Sequence, residues 1–176
     1  DLQMARYGTG EAFPAFLAAS PEAAMRFFLA VIDRHAPPGE STRTEGQLPR
    51  VYSSTNLEFV AGYSGLNTMA RALADFLVSS LASDDPQQQG TADGLLQMAA
   101  AQLTHPQAWN YILDAGVANP GTLGRRLLPL LHGSDLFGHP MTRSPAARLP
   151  AALSPVLTTA EHATLEQAIL QARNPL

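Results

Sequence analysis

Cysteine is missing from this 176-residue chain, and so is lysine: all 11 basic side chains are Arg. The first absence excludes disulfides, zinc–thiolate and iron–sulfur sites and a thiol nucleophile, and it argues against a small secreted scaffold held by bridges. The second excludes a Walker-type phosphate loop, a Schiff-base lysine and a kinase-type lysine, so the chain is not itself an NTPase. A basic stripe is missing as well. Net charge is -4, and apart from Arg125-Arg126 the arginines are scattered, which leaves nothing to displace counterions from nucleic acid. The longest apolar runs, such as residues 127–131, fall far short of the ~20 residues that a membrane span needs, and no signal peptide opens the chain. We therefore expect a soluble, cytoplasmic protein. The chain starts at Asp1 without a methionine and stops at Leu176 just after a helical pattern, so we expect a piece of a larger protein.

What the chain does have is helical punctuation. Apolar side chains recur three and four apart in stretches of roughly 10–18 residues, and the breaks between them supply helix-start signals: Ser20-Pro21-Glu22, Asn119-Pro120, Ser144-Pro145 and Thr158-Thr159-Ala160-Glu161. The spacing predicts a short helix over residues 11–19, with Phe13, Phe16 and Leu17 on one side. Gly8-Thr9-Gly10 before it reads as a flexible lead-in. In the next helix Ser20 caps and Pro21 suits the first turn, with Ala24, Phe27, Phe28, Val31 and Ile32 inward. Further helices follow over residues 67–82, with Met69, Leu73, Phe76, Leu77 and Ser80, and then along Leu95, Leu96, Ala99 and Leu103. Asp84-Asp85-Pro86 and the Gln87-Gln88-Gln89 run between these two are expected to form a polar turn. His105-Pro106 restarts the chain into a helix carrying Trp109, Ile112 and Leu113. Residues 121–132 carry Leu123, Leu127, Leu128 and Leu131, with Pro129 expected to kink or shorten that helix. A proline-dense linker is expected over 133–145, then a broken helix over 146–156. Last comes a helix opened by a Thr158/Glu161 capping box, with Leu165, Ala168, Ile169 and Ala172 inward.

Eight such segments pair into four antiparallel hairpins of roughly 40 residues, the size of a HEAT or armadillo unit. The expected fold is all-α, a solenoid of stacked hairpins, with a compact helical bundle as the alternative. A long irregular loop interrupts the series at about residues 37–65. Ordered loops of that length are often functional, so partner contacts are expected there first.

Candidate chemistry is sparse. An apolar run turning at Ser64 resembles a nucleophile elbow, but the small residue required two positions later is Leu66, and no alternating strands follow; capping of the next helix is the simpler role. His132, Asp135 and His139 fall in the linker without metal-site spacing, and His132-Gly133 suits a helix C-terminus. Gly121-Thr122-Leu123-Gly124-Arg125-Arg126 sets two guanidinium groups near a helix start, suited to an acidic partner group or to a solvated face. The candidate interaction surface is Arg43, Arg50, Tyr52, Tyr63, Arg125 and Arg126. No cofactor, metal or small-molecule ligand is expected.

Residues 59–86 with the Gly62-Tyr63-Ser64 turn, together with Leu127-Leu128-Pro129-Leu130-Leu131 and the closing stretch from Leu157-Thr158-Thr159-Ala160-Glu161-His162 to Ile169-Leu170, resemble the HEAT-like helical region behind the nucleotide-binding module of large bacterial STAND ATPases, antiviral defence proteins among them. The resemblance implies a superhelical arm that senses, oligomerises or relays a state change while the chemistry resides elsewhere. The expected function is a non-catalytic scaffold that docks a protein or another domain. A compact effector or immunity-type binding protein and a small serine hydrolase using Ser64 are the alternatives.

Overall fold

The computed structural model describes residues 2–34, 49, 51, 64–131 and 135–173. Among these residues there are helices and turns but no strand. Helix α1 spans Leu2–Ala19 and α2 Pro21–Arg34, hinged on Ser20 alone. Then come α3, Ser64–Leu81, α4, Pro86–Gln102, and α5, Pro106–Ala118. The next segment is wound unevenly: a π turn at Pro120–Gly124, one α turn (α6, Arg125–Leu127) and a 3-10 turn at Leu128–Leu131. After a short 3-10 piece at Asp135–Phe137, α7 covers Pro140–Leu153 and α8 Thr159–Arg173.

Helix starts follow local chemistry. Asp85 caps α4 by accepting the Gln87 N–H at 2.9 Å, with Pro86 in the first turn, where a missing N–H costs nothing. Gln87, Gln88 and Gln89 are therefore the first turn of α4 and not a polar turn between helices. His105 caps α5, its Nδ1 accepting the Ala108 N–H at 3.3 Å, and His139 caps α7 in the same way through Met141 at 3.2 Å. The capping box forms as expected: Thr158 Oγ1 accepts the Glu161 N–H at 3.4 Å, while Glu161 Oε2 accepts the Thr158 N–H at 2.7 Å.

Two helices run longer than expected. The first begins at Leu2 rather than near residue 11 and continues through Pro14. Gly8-Thr9-Gly10 is part of it, and Gly10 is buried where α1 crosses α3: a Cβ on Gly10 would sit 3.3 Å from the Gly65 Cα. The expected 133–145 linker is mostly helical, because α7 starts at Pro140 and runs on through Pro145 and Pro150. Proline in a helix interior costs about 3 kcal/mol. Here Thr142, Pro145, Ala146, Leu149 and Leu153 fall on one face and are buried together, and that burial outweighs the lost backbone bonds.

The helices pack in a defined order. α1 lies against α3, α3 against α5 and α5 against α7; on the other side α2 lies against α4. The core is continuous through Phe13, Phe28, Leu73, Leu95, Trp109, Leu127 and Leu149. Trp109 is fully buried and donates its indole N–H to the Leu103 carbonyl at 2.7 Å, which closes the α4–α5 corner. A close backbone approach joins α5 to the π turn. A Cβ on Gly124 would lie 2.7 Å from the Gly116 carbonyl oxygen, so only glycine admits this crossing.

On α2 the buried residues are Ala24, Met25, Phe28, Leu29 and Ile32. Phe27 and Val31 were expected inward. Phe27 is instead 38 % exposed and Val31 only partly covered, because the buried stripe lies closer to Met25 and Leu29. Phe16 is likewise exposed, and its ring packs edge-on against that of Phe27, 6.2 Å between centroids. Of the expected long loop at about 37–65, Pro49, Val51, Ser64 and Gly65 are described, and the last two already belong to α3. Pro49 is buried and its carbonyl accepts the Asp135 N–H at 3.3 Å. No helix among the described residues is long and apolar enough to cross a membrane.

Candidate functional site

Arg125 and Arg126 are the two candidate surface residues that lie among the described residues; Arg43, Arg50, Tyr52 and Tyr63 lie outside them. The structure does not use the two arginines alike. On a single α turn, consecutive side chains diverge by about 100°, so the pair cannot face one partner. Arg125 turns towards α8. Its Nε and Nη2 donate to the two carboxylate oxygens of Glu161 at 3.1 and 3.0 Å, and Nη2 also donates to the Val156 carbonyl at 2.9 Å. A bidentate fork of this kind fixes orientation as well as charge. Glu161 also accepts the Thr158 hydroxyl at 2.7 Å. The Thr158 backbone N–H, the Thr158 hydroxyl and the Arg125 fork together hold its carboxyl at about 2, well below the usual range. Arg125 is thus a structural tether for α8, whose Leu165 is buried in the core.

Arg126 points the other way, towards α4. Its Nε lies 3.0 Å from Asp93 Oδ1, and no residue other than Asp93 engages the guanidinium among those described. Half of the Arg126 side chain remains exposed, against 35 % of Asp93. This pair stands over a groove of about 630 Å³ lined by Asp93, Leu96, Gln97, Ala100 and Ala101 of α4 and by Arg126, Pro129 and Leu130 opposite. That volume is within the roughly 300–1,000 Å³ typical of ligand sites.

The groove follows from winding. The α4 residues 93, 96, 97, 100 and 101 recur at three and four and so share one face. Opposite them, Pro129 lacks an N–H, and the chain tightens into a 3-10 turn over Leu128–Leu131. The tightening buries Leu128 and Leu131 and leaves Pro129 exposed and Leu130 half-buried. The expectation that Pro129 shortens this helix holds, and all four expected leucines, Leu123, Leu127, Leu128 and Leu131, are buried. The spacing on α4 was visible in the sequence. Its pairing with Arg126 was not, because more than 30 residues separate them.

The other candidates stand apart. Ser64 is the first residue of α3; its side chain and residues 52–63 lie outside the described part, as does His132. His139 is committed through Nδ1 to the start of α7. Among the described residues no three His, Asp or Glu side chains gather in a metal-holding group. The sequence placed His105 only at a helix restart; the structure leaves it 3 % exposed, and burial drives it from 6.5 down to about 4. Two more contacts bridge the helices. Arg71 of α3 stacks over the Tyr111 ring of α5 at 5.3 Å, and Arg148 of α7 pairs with Asp114 of α5. Comparison with known protein families, curated proteins and solved structures gave no match to this chain.

Proposed function

We propose that this chain is a non-catalytic helical scaffold whose hairpins stack in the HEAT or armadillo manner and which docks another protein or domain. The observation that carries the reading is the order of packing. α1, α3, α5 and α7 each lie against the next, α2 lies against α4, and the 125–131 segment faces α4 across the groove. Each hairpin thus meets mainly its neighbours, which is the rule in quasi-one-dimensional repeat proteins. A closed bundle brings its first and last helices together. Among the described residues no extensive contact joins α1 or α2 to α7 or α8.

The polar side chains support the same reading. Arg71, Asp114, Arg125, Arg148 and Glu161 are spent on holding helices to one another, and His105 and His139 on capping them. A group free to do chemistry needs a reacting atom left over. By resemblance, the proposal extends to an arm of a large STAND-type ATPase in the cytoplasm, relaying a state change from a partner to a nucleotide-binding module.

Small-angle scattering tests the architecture. A globular particle of this chain length has a radius of gyration of about 16 Å, and a stacked array is expected clearly above it. Affinity capture with this chain as bait tests the function: a specific protein enriched over a mock bait is expected, and none enriched argues against docking. Hydrolysis of generic esters that disappears in Ser64→Ala would overturn the non-catalytic reading.

A further inference from the structure

We propose that residues 120–131 are a register device: the segment can rewind from its mixed π, α and 3-10 winding into one uninterrupted α-helix, a change that brings Arg125 to Asp93 in place of Arg126 and frees α8. The device is a property of the segment itself and does not depend on whether the chain docks a partner. In the π turn the Gly124 N–H donates to the Asn119 carbonyl at 3.0 Å and the Arg125 N–H to the Pro120 carbonyl, five residues back instead of the four of an α-helix. Everything after that turn therefore lags an α-helix by one residue, about 100°. The 3-10 turn over Leu128–Leu131 closes its bonds three residues back and regains the residue that the π turn lost. Surplus and deficit cancel. The two ends lie where a plain α-helix would put them, and only the middle is turned, so rewinding moves the middle without displacing the ends.

The side chains suit both windings. In the mixed winding Leu123, Leu127, Leu128 and Leu131 are buried and Leu130 is half-buried. In an uninterrupted helix the inward stripe falls on 123, 127, 130 and 131, so Leu130 goes in as Leu128 comes out and the apolar stripe is kept. Advancing the middle by one residue also carries Arg125 to the bearing that Arg126 now holds, with Nε 3.0 Å from Asp93 Oδ1. Asp93 keeps an arginine, while Glu161 and the Val156 carbonyl lose theirs. Pro129 and Gly124 hold the present winding. In a continuous helix Pro129 would leave the Arg125 carbonyl without its donor and press its ring against it. Gly124 lies at the crossing with α5, where a Cβ would be 2.7 Å from the Gly116 oxygen, and rewinding turns Leu123 towards that oxygen. The mixed winding is thus the resting state, and release of α8 accompanies the uninterrupted one.

Nuclear magnetic resonance couplings through backbone hydrogen bonds, measured on the isotope-labelled chain, read the register directly. In the wild type the Gly124 N–H should couple to the Asn119 carbonyl. Pro129→Ala, at an exposed position, restores an N–H and removes the ring clash. In that variant the Gly124 N–H should couple to the Pro120 carbonyl instead, and the new N–H at position 129 to the Arg125 carbonyl. Amide exchange in the first turn of α8 should become about five-fold faster, the size of one partly exposed bidentate pair, with α4 unchanged. Pro129→Ala combined with Glu161→Ala removes the tether while keeping both arginines, and should complete a shift that the single variant leaves partial. Retention of the Asn119 coupling in both variants, coupling of Gly124 to neither carbonyl, or a shift to Pro120 in the single variant without faster exchange in α8 would overturn the proposal.

Discussion

His105 should make this protein lose stability in mild acid, as pH falls below 6.5. Its ring is buried at the start of α5, where Nδ1 accepts the Ala108 N–H. Protonation would turn that acceptor into a donor facing a donor, at the positive end of a helix dipole. Burial accordingly lowers the folded-state value from 6.5 to about 4. With the folded value below the unfolded one, the unfolded chain binds the extra proton first, so stability falls as pH falls. The contribution is intact above about 6.5 and drains away between 6.5 and 4. At 1.36 kcal/mol per tenfold change in proton affinity, roughly 2 kcal/mol is lost by pH 5 and roughly 3 kcal/mol by pH 4. That is a large part of a typical stability of 5–15 kcal/mol.

The perturbation is His105→Asn, which keeps a capping acceptor but does not titrate. Urea unfolding followed by far-ultraviolet circular dichroism at pH 7, 6, 5 and 4.5 reads the effect for both proteins. The smaller side chain adds a constant offset, so the slope against pH is the quantity that decides. The wild type should lose roughly 2 kcal/mol more than the variant between pH 7 and 5. Parallel curves would refute a neutral, capping His105. Glu161 acts in a separate window: its folded value of about 2 lies below 4.5, so its contribution is present above 4.5 and lost only from there down to about 2.

Further outcomes follow from the packing. Gly124→Ala should destabilise by about 1–3 kcal/mol, and by more than Gly116→Ala, since its Cβ meets the Gly116 backbone oxygen whereas the Cβ at Gly116 meets the far end of the Leu127 side chain; thermal melts of the two variants check the ranking. Trp109→Ala should cost about 3–5 kcal/mol in urea unfolding, and Trp109→Phe less, the latter still leaving the Leu103 carbonyl without its donor. Thr158→Ala should cost about 1 kcal/mol through loss of the α8 cap, with faster amide exchange confined to the first turn of α8. Arg125→Gln should loosen α8 without disturbing α4, whereas Arg126→Gln should leave both in place; amide exchange along α4 and α8 distinguishes the two.

Much of the helix inventory was legible because it rests on near-neighbour physics. The Thr158/Glu161 box, the restart at His105-Pro106, the Asp85 turn and the stripe of Trp109, Ile112 and Leu113 each depend on residues within one or two turns. The errors lie where local propensity and packing disagree. The proline-dense stretch over 133–145 argued for a linker and residues 146–156 for a broken helix, yet the buried face of α7 carries one helix from Pro140 to Leu153 through Pro145 and Pro150. Phe27 was placed inward by its spacing with Ala24, Phe28 and Val31, yet the buried α2 stripe is shifted towards Met25 and Leu29. Ser64, expected to cap a helix beginning near Leu66, is itself the first residue of α3.

The sequence by itself determined the all-helical class, the absence of thiol and lysine chemistry, and most helix starts, since composition is global and capping spans a few residues. Only the tertiary structure decided which of two adjacent arginines is structural, which glycines let helices touch, and that α4 and the 125–131 segment face each other across a groove. Those outcomes depend on side chains that meet from distant points in the chain, through which particular stripes bury against one another, and no local rule encodes that choice.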